Sequence, residues 1–513
     1  MKIKALIGAA LLGWSSLSLQ AQQLNADCGV SFADGQLIKQ RLMENRRLVD
    51  PAEIAAFQQS RNIKYIPVKF HIVGDANGEN TVSLSNVFAM LCDMNNDYRS
   101  QDVQFYMQGV SNSVNYFNNN TVYNDGGGFG SQNIMFNNKS AGAVNIFMSA
   151  SVNNQVASYY TPAGDFIFVL NQMANGTSST GTHEVGHFFT LNHTFYGWEG
   201  ADVTIYEPGN APNLINGSSV EREARTGGSA NCSSAADGFC DTPADYVSFR
   251  DNCPYTGGVK DPLGVAVDPM ESNFMSYYAD ACVDSFTAEQ KSAMAADILS
   301  RWNSFSAPTP NAVVSGAGIS AVAPSNGGSV ELNGDITLEW TAVSNATAYY
   351  INIERTFGGI PIETVTEKIV YGTTSTTIPQ ADLGFPRQYS WTVRPLNQLN
   401  TCGATSPAQS FSTTAPTSSV IGEEFSSMSE MRLMQNPLAG STAELLINLP
   451  KDLVASLQVF SLDGRKVAGL DKIQFFAGDN AQLLEVGQLS NGVYMVVLNT
   501  PYGNLQQKLV IQR

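Results

Sequence analysis

Histidine is nearly missing from this chain: 513 residues carry four. Charge is sparse as well. Only 14% of residues are Asp, Glu, Lys or Arg, and the 28 basic residues are outnumbered by 45 acidic ones, for a formal charge of −17. A surface of that sign repels phosphate backbones and anionic lipid, which argues against nucleic acid or a charged membrane surface as a partner. No stretch reaches the roughly 18 uninterrupted apolar residues that a membrane-crossing helix needs, so no membrane span is expected. Core-forming residues are not scarce, at 43% hydrophobic. A chain of this length implies two to four domains. The abundance of Gly, Asn, Ser and Thr beside so little charge fits an extracellular, β-rich protein.

The amino terminus reads as an export signal. Lys2 and Lys4 precede an apolar run from Ala5 to Trp14, and Gln20-Ala21-Gln22 follows. A signal peptide over 1–21, cleaved after Ala21, is expected. In an exported protein the clustered Cys232, Cys240, Cys253 and Cys282 imply two disulfides, for which sequence alone allows three pairings. Cys92 and Cys402 have no evident partner and are expected as buried thiols.

Three of the four histidines fall in His183-Glu184-Val185-Gly186-His187-Phe188-Phe189-Thr190-Leu191-Asn192-His193. His183 and His187, four apart, project from one face of a helix. Two imidazoles so placed reach one Zn²⁺ at roughly 2.0–2.1 Å. Glu184 lies one step round, off the metal, where it can take a proton from water as a general base. A continuing helix would point His193 away, so the chain must turn between Phe188 and Asn192. Three neutral imidazoles then leave a fourth position open, the pattern of a catalytic zinc. The fourth histidine, His71, lies in an alternating strand and is expected to be an ordinary sheet residue. Acidic residues between Trp198 and Asn252 offer the oxygen ligands calcium takes, so Ca²⁺ is a candidate structural ion.

The extended motif resembles that of the metzincins, and His183 to Phe195 is most similar to the pappalysin (cytophagalysin) branch. That resemblance implies an α+β catalytic domain, with a twisted mixed sheet, a zinc helix and a C-terminal helix. It implies a zinc metalloendopeptidase acting on protein or peptide substrates. Asn273-Phe274-Met275-Ser276-Tyr277 matches the family's methionine turn. Met275 would floor the histidines, and Tyr277 would hydrogen-bond the tetrahedral intermediate. The resemblance favours the pairs Cys232–Cys253 and Cys240–Cys282. It makes Cys28, in Asp27-Cys28-Gly29, a zymogen ligand whose thiolate fills the open zinc position. It assigns Asp280 or Asp284 to a preference for arginine at the cut, and makes the strand Ala143 to Ser149 the sheet edge that receives substrate. The family pattern has Gly where this chain has Thr190. A β-branched residue enters φ > 0 poorly, so Asn192 is expected to absorb the left-handed turn, unless the loop takes another path.

A polar, helix-like stretch from Gln36 to Ser60 completes a prosegment over 22–61, with Arg41, Arg46, Arg47 and Arg61 as candidate processing sites. The catalytic domain is expected over 62–305. Lys64–Val73, Val103–Val110 and Asp165–Leu170 read as strands, and Ser83–Tyr98 as a covering helix. Asn118–Asn138 reads as a long loop. Thr287-Ala288-Glu289-Gln290 is a capping box that starts a helix running to Trp302. After a Pro-rich linker at 306–310, residues 315–415 resemble a fibronectin type III β-sandwich. Residues 431–513 resemble the type IX secretion sorting domain of Bacteroidetes, through Gln435-Asn436-Pro437, Val459 to Arg465, Leu489 to Tyr494 and Lys508 to Ile511. That resemblance implies the type IX machinery as a partner, and a secreted or cell-surface location. Two rival readings remain: a surface adhesin with an inactive zinc domain, and a thermolysin-like site with Glu199 as third ligand.

Overall fold

The computed structural model describes residues 28–60, 62–109, 114–151, 157–246, 253–309, 312–314, 319–414, 429–462 and 464–513. The expected signal peptide, Asp27, Arg61, Pro310 and Asp463 lie outside the described residues. The N-terminal part begins with α1 (Phe32–Leu48) and α2 (Pro51–Gln59). Ser31 and Asp34 form a capping box on α1, and Asp50 caps α2 ahead of a proline at its first position. Then come β1 (Lys64–Gly74), α3 (Leu84–Asp97), β2 (Val103–Met107), β3 (Val114–Asn118), α4 (Asn120–Asn124), α5 (Phe129–Asn137), β4 (Val144–Ser149), β5 (Ser158–Thr161), β6 (Phe166–Leu170), α6 (Thr180–Phe188) and α7 (Ala288–Arg301).

The sheet runs β2–β1–β4–β6–β5, with β3 also paired to β1. All pairings are parallel except β5 on β6. β1 and β4 are buried almost throughout, as strands covered on both faces must be. His71 is satisfied there, between Asn145 and Asn115 and stacked on Phe147.

Two expectations fail in this sheet. The strand Ala143 to Ser149 is interior, held between β1 and β6. The edge is β5, added by a short antiparallel hairpin that the sequence pattern did not reveal. The region 118–138 is not a long loop. Asn119 accepts hydrogen bonds from the amides of Thr121 and Val122 and starts α4, and Gly128 starts α5. Asparagine here is a helix cap as much as a loop former.

The cysteine pairing also differs. Cys232 bonds Cys240, and Cys253 bonds Cys282. Left-handed residues at Ala236 and Gly238 fold the 232–240 segment back on itself, so its ends come within reach of each other. Cys92 and Cys402 are not buried thiols but a disulfide spanning 310 residues of sequence. That bond ties α3 to the β-rich C-terminal region.

The C-terminal region is a series of sandwich-like sheets. A five-stranded and a three-stranded sheet are built from 321–414, with Trp340, Ile351, Tyr389 and Trp391 in their core. A three-stranded and a four-stranded sheet are built from 430–511. The first pair packs on α3. Tyr350 meets Phe88 edge-on, and the Glu367 carboxylate accepts from the Leu84 and Ser85 amides at the start of the helix. Arg355, only 2% exposed, pairs with Glu430 and Asp479 and joins the two C-terminal units.

Proteolysis between residues 305 and 320 is expected to leave one species on a gel without reductant and two with it. Two species without reductant would refute the Cys92–Cys402 bond.

Candidate metal centre

α6 carries His183 and His187 on one face. It ends in a tight motif: the Leu191 amide bonds the Gly186 carbonyl, and the Thr190 amide bonds the His187 carbonyl. That reverse turn requires a left-handed residue after the helix cap. Thr190 itself fills the place, at φ 72°, so the expectation for Asn192 is wrong. Asn192 instead donates to the Gly35 carbonyl of α1. The Thr190 hydroxyl is buried without a partner. Packing on all sides of the turn, where Phe188, Phe189 and Leu191 are buried, overrides the local preference.

The turn brings the third ring home. His187 Nε2 lies 3.0 Å from His183 Nε2 and 3.2 Å from His193 Nε2, and Cys28 Sγ lies 3.5 Å from His187 Nε2. A tetrahedral zinc with Zn–N near 2.05 Å and Zn–S near 2.3 Å separates its ligands by about 3.3 Å (N to N) and about 3.6 Å (N to S). All four donor atoms lie within 4.8 Å of one another, and among the described residues they are the one such group.

The second ring nitrogens show what the group needs. His183 Nδ1 faces the Phe274 carbonyl at 2.6 Å, and His187 Nδ1 faces the Leu191 carbonyl at 2.7 Å. His193 Nδ1 faces Glu199 Oε1 at 3.2 Å. These partners only accept, so each Nδ1 carries the proton and each Nε2 presents a lone pair. Burial keeps the rings neutral, holding the pKa of His183 down to about 4 and those of His187 and His193 well below the usual value. Three lone pairs aimed at one another in a buried space repel unless a cation lies between them. The residues present therefore fit a zinc ion.

Glu184 is fully buried and outside the ligand group. Its Oε1 accepts from Ser158 Oγ at 2.6 Å, and its Oε2 has no partner. Burial pushes this carboxyl up to about 7, against the pull of the Ser158 hydrogen bond and of weaker contacts with the Cys28 thiol and the Tyr160 backbone. Met275 is buried beneath the helix. A Cβ at Gly186 would come within 2.4 Å of its sulfur, so the methionine side chain in its present position fits against a glycine. Asn273 holds the Met275 amide at 2.9 Å and bonds Gln290 of the α7 capping box. Asp245 accepts from both Thr194 and Ser276, tying the turn after His193 to the methionine loop. Nothing in the sequence pattern singled out Ser158 or Asp245.

The Tyr277 hydroxyl donates to the Cys28 carbonyl at 2.9 Å. Cys28 forms a parallel bridge with Ser158, and the Gly29 amide donates to the Ser158 carbonyl at 2.7 Å. Burial and then the Glu184 charge raise the Cys28 thiol well above its usual value, a balance that a divalent cation reverses. Around this strand α1 is clamped. Lys39 bonds the Ser234 and Ala236 carbonyls, Arg41 bonds Tyr160 and the Phe188 carbonyl and pairs with Asp297, and Arg46 bonds the Gly238 carbonyl. Arg41 and Arg46 are therefore engaged within a helix. Arg47 is exposed in its last turn.

Asp280 is not in the ligand group. It accepts from the Ser179 amide and hydroxyl at the start of α6. Asp284 is exposed, its amide bonded to the Ser272 carbonyl. Glu199 lies behind His193 rather than beside the metal position. In the acidic loop, Glu221 and Asp237 are buried, and each leaves one carboxylate oxygen without a partner.

Residues 436–512 match the family model described as secretion system C-terminal sorting domain. An extracellular metalloprotease of Colletotrichum graminicola is 27% identical over 259 residues, 45% of this chain and 74% of that protein. The chain is a secreted or cell-surface protein. A Neurospora crassa extracellular metalloprotease is 24% identical over 332 residues, covering 60% of this chain and 99% of its own length. One from Coccidioides posadasii is 25% identical over 283 residues, covering 50% and 83%. Among solved structures, the chicken CNTN1 FN1–FN3 domains align with 40% of this chain and 67% of that one, at 13% identity and a TM-score of 0.17, too slight to bear on the fold. Among the described residues no helix is long and apolar enough to cross a membrane.

Thr190→Gly removes a left-handed strain of about 1–2 kcal/mol and a buried unpaired hydroxyl. It loses two buried carbons, Cβ and its methyl, worth about 0.8 kcal/mol each, and gains chain entropy in the unfolded state. A net gain of about 1 kcal/mol is expected, seen in calorimetry as a midpoint higher by roughly 2–4 °C. A lower midpoint would mean that the threonine is compensated elsewhere.

Proposed function

We propose that this chain is a secreted zinc-dependent endopeptidase made in a latent form. The observation that carries the reading is the meeting of three buried imidazole lone pairs beside a buried carboxylate with one unpartnered oxygen. The similarity to extracellular metalloproteases supports it. His183, His187 and His193 would hold the zinc, in the manner of the pappalysin branch of the metzincins. When bound, zinc polarises a carbonyl oxygen and makes water acidic near neutral pH.

The chain's own groups divide the remaining work. Ser158 holds one oxygen of Glu184, so the other is aimed by default. Glu184 takes the proton of water as it attacks the scissile carbonyl and hands it to the leaving amine. Tyr277, which meets the Cys28 carbonyl in the latent form, becomes a donor to the developing oxyanion once Cys28 leaves. Edge strand β5 offers its backbone to an extended peptide by strand addition, which gives affinity with little side-chain selection. The arginine preference attached to Asp280 or Asp284 has weaker support, because Asp280 spends an oxygen on Ser179.

Latency has two parts. Cys28 contributes its sulfur to the ligand group, and residues 28–29 occupy the edge strand where substrate would pair. The prosegment reading over 22–61 and the catalytic span 62–305 belong to this proposal, as do a fibronectin-like unit over 315–415 and the sorting unit over 431–513. The unpartnered oxygens of Glu221 and Asp237 lie in the acidic loop, but among the described residues no metal-holding group forms there, and calcium is no part of this proposal.

The deciding experiment is a casein assay on processed protein, with and without a chelator. Glu184→Gln is expected to keep its zinc and lower kcat by about 10²–10⁴-fold; activity near wild type would refute the role. Cys28→Ala in the unprocessed chain is expected to raise basal cleavage and to speed zinc loss to a chelator. No change in either would remove the latency claim while leaving the enzyme reading intact.

A further inference from the structure

We infer that Glu199 is a positioning residue for the metal: it selects which nitrogen of His193 faces the ligand group and so sets the affinity of the site. The inference rests on the ligand set proposed above.

The three histidines are not supported alike. His183 and His187 are backed by the main-chain carbonyls of Phe274 and Leu191, which no side-chain change removes. His193 is backed by a side chain, Glu199 Oε1, at 3.2 Å from Nδ1. Phe195 stacks on the His193 ring at 4.6 Å and 11°, and Tyr277 meets it at 4.9 Å and 69°. These contacts hold the plane of the ring but do not tell its two nitrogen edges apart. A ring turned over in the same slot would aim the wrong nitrogen at the cluster. The carboxyl group makes that distinction, since it accepts the Nδ1–H hydrogen bond on one edge only, and an acceptor there makes the opposite lone pair more basic.

Glu199 is itself built into place. Its Oε2 accepts from the Gly197 amide at 2.7 Å, and Asn216 Nδ2 donates to the Gly197 and Glu199 carbonyls at 3.0 and 3.2 Å. Gly197, at φ 107°, lets the chain double back from His193 to Glu199. The Glu199 side chain is 13% exposed, so solvent screens the contact little.

The test measures zinc binding to the full-length chain, by competition with a chromophoric chelator, alongside the visible spectrum of the cobalt(II) form. Glu199→Ala and Glu199→Leu, the second filling the space without an acceptor, are each expected to weaken zinc binding about 10–100-fold and to change the cobalt bands. Glu199→Gln, which keeps a neutral acceptor, is expected to recover most of that loss. The metal-free unfolding midpoint of each variant reports on folding separately. Wild-type affinity in the Ala and Leu variants overturns the inference. A loss in the Gln variant as large as in Ala and Leu also overturns it, since the role is then structural. His193→Ala is the parallel control: if it loses tight zinc while the Glu199 variants do not, the ligand set stands without this inference. If it binds as wild type does, the ligand set itself is wrong.

Discussion

Three imidazole lone pairs facing one another in a dry interior are tolerable only around a cation, and much of the N-terminal part of the molecule serves that arrangement. The partners behind the rings leave each Nε2 no alternative. Burial keeps the rings from escaping the conflict by taking up protons. The reverse turn at Thr190, the close approach of Met275 to Gly186 and the Asp245 bridge all hold the third ring against the first two. A strained β-branched residue persists there because its neighbours leave the chain no other path.

The centre is also wired outward. Asp97 and Tyr98, at the end of α3, bond the side chain and carbonyl of Thr182, next to His183. The other end of α3 is held by Glu367 and Phe88–Tyr350, and its middle by Cys92–Cys402. One helix therefore connects α6, which carries His183 and His187, to the β-rich region beyond residue 319. Separately, α1 is fastened by cations whose acceptors are mostly main-chain carbonyls. If the segment were removed, as the proposed latent form requires, that mode of attachment would leave few buried charges unpaired. Asp297 and Asp165, which Arg41 also meets, retain Arg301 as a partner.

The legible parts of the chain are those governed by local periodicity. Strands Lys64–Gly74 and Phe166–Leu170, helix Leu84–Asp97 and the capping box at Thr287 follow from alternation, helical spacing and cap chemistry. What stayed hidden is relational. Nothing local to Ser158 marks it as an edge residue holding Glu184. Cys92 and Cys402 look solitary because 310 residues separate them. The Asn-rich stretch after residue 118 reads as a loop because its short helices depend on caps and on packing rather than on a long apolar stripe.

By itself the sequence determined which chemistry is available. Two histidines one helical turn apart, a third after a forced reversal and a glutamate between them limit the site to a metal and a base, since side-chain direction on a helix depends on spacing alone. The tertiary structure decided the rest: which residue absorbs the left-handed turn, which strand forms the edge, which cysteines meet, and which groups stand behind each ring. Those outcomes depend on where distant segments come to lie, and the energy that places them is shared across a packed core rather than encoded at any one position.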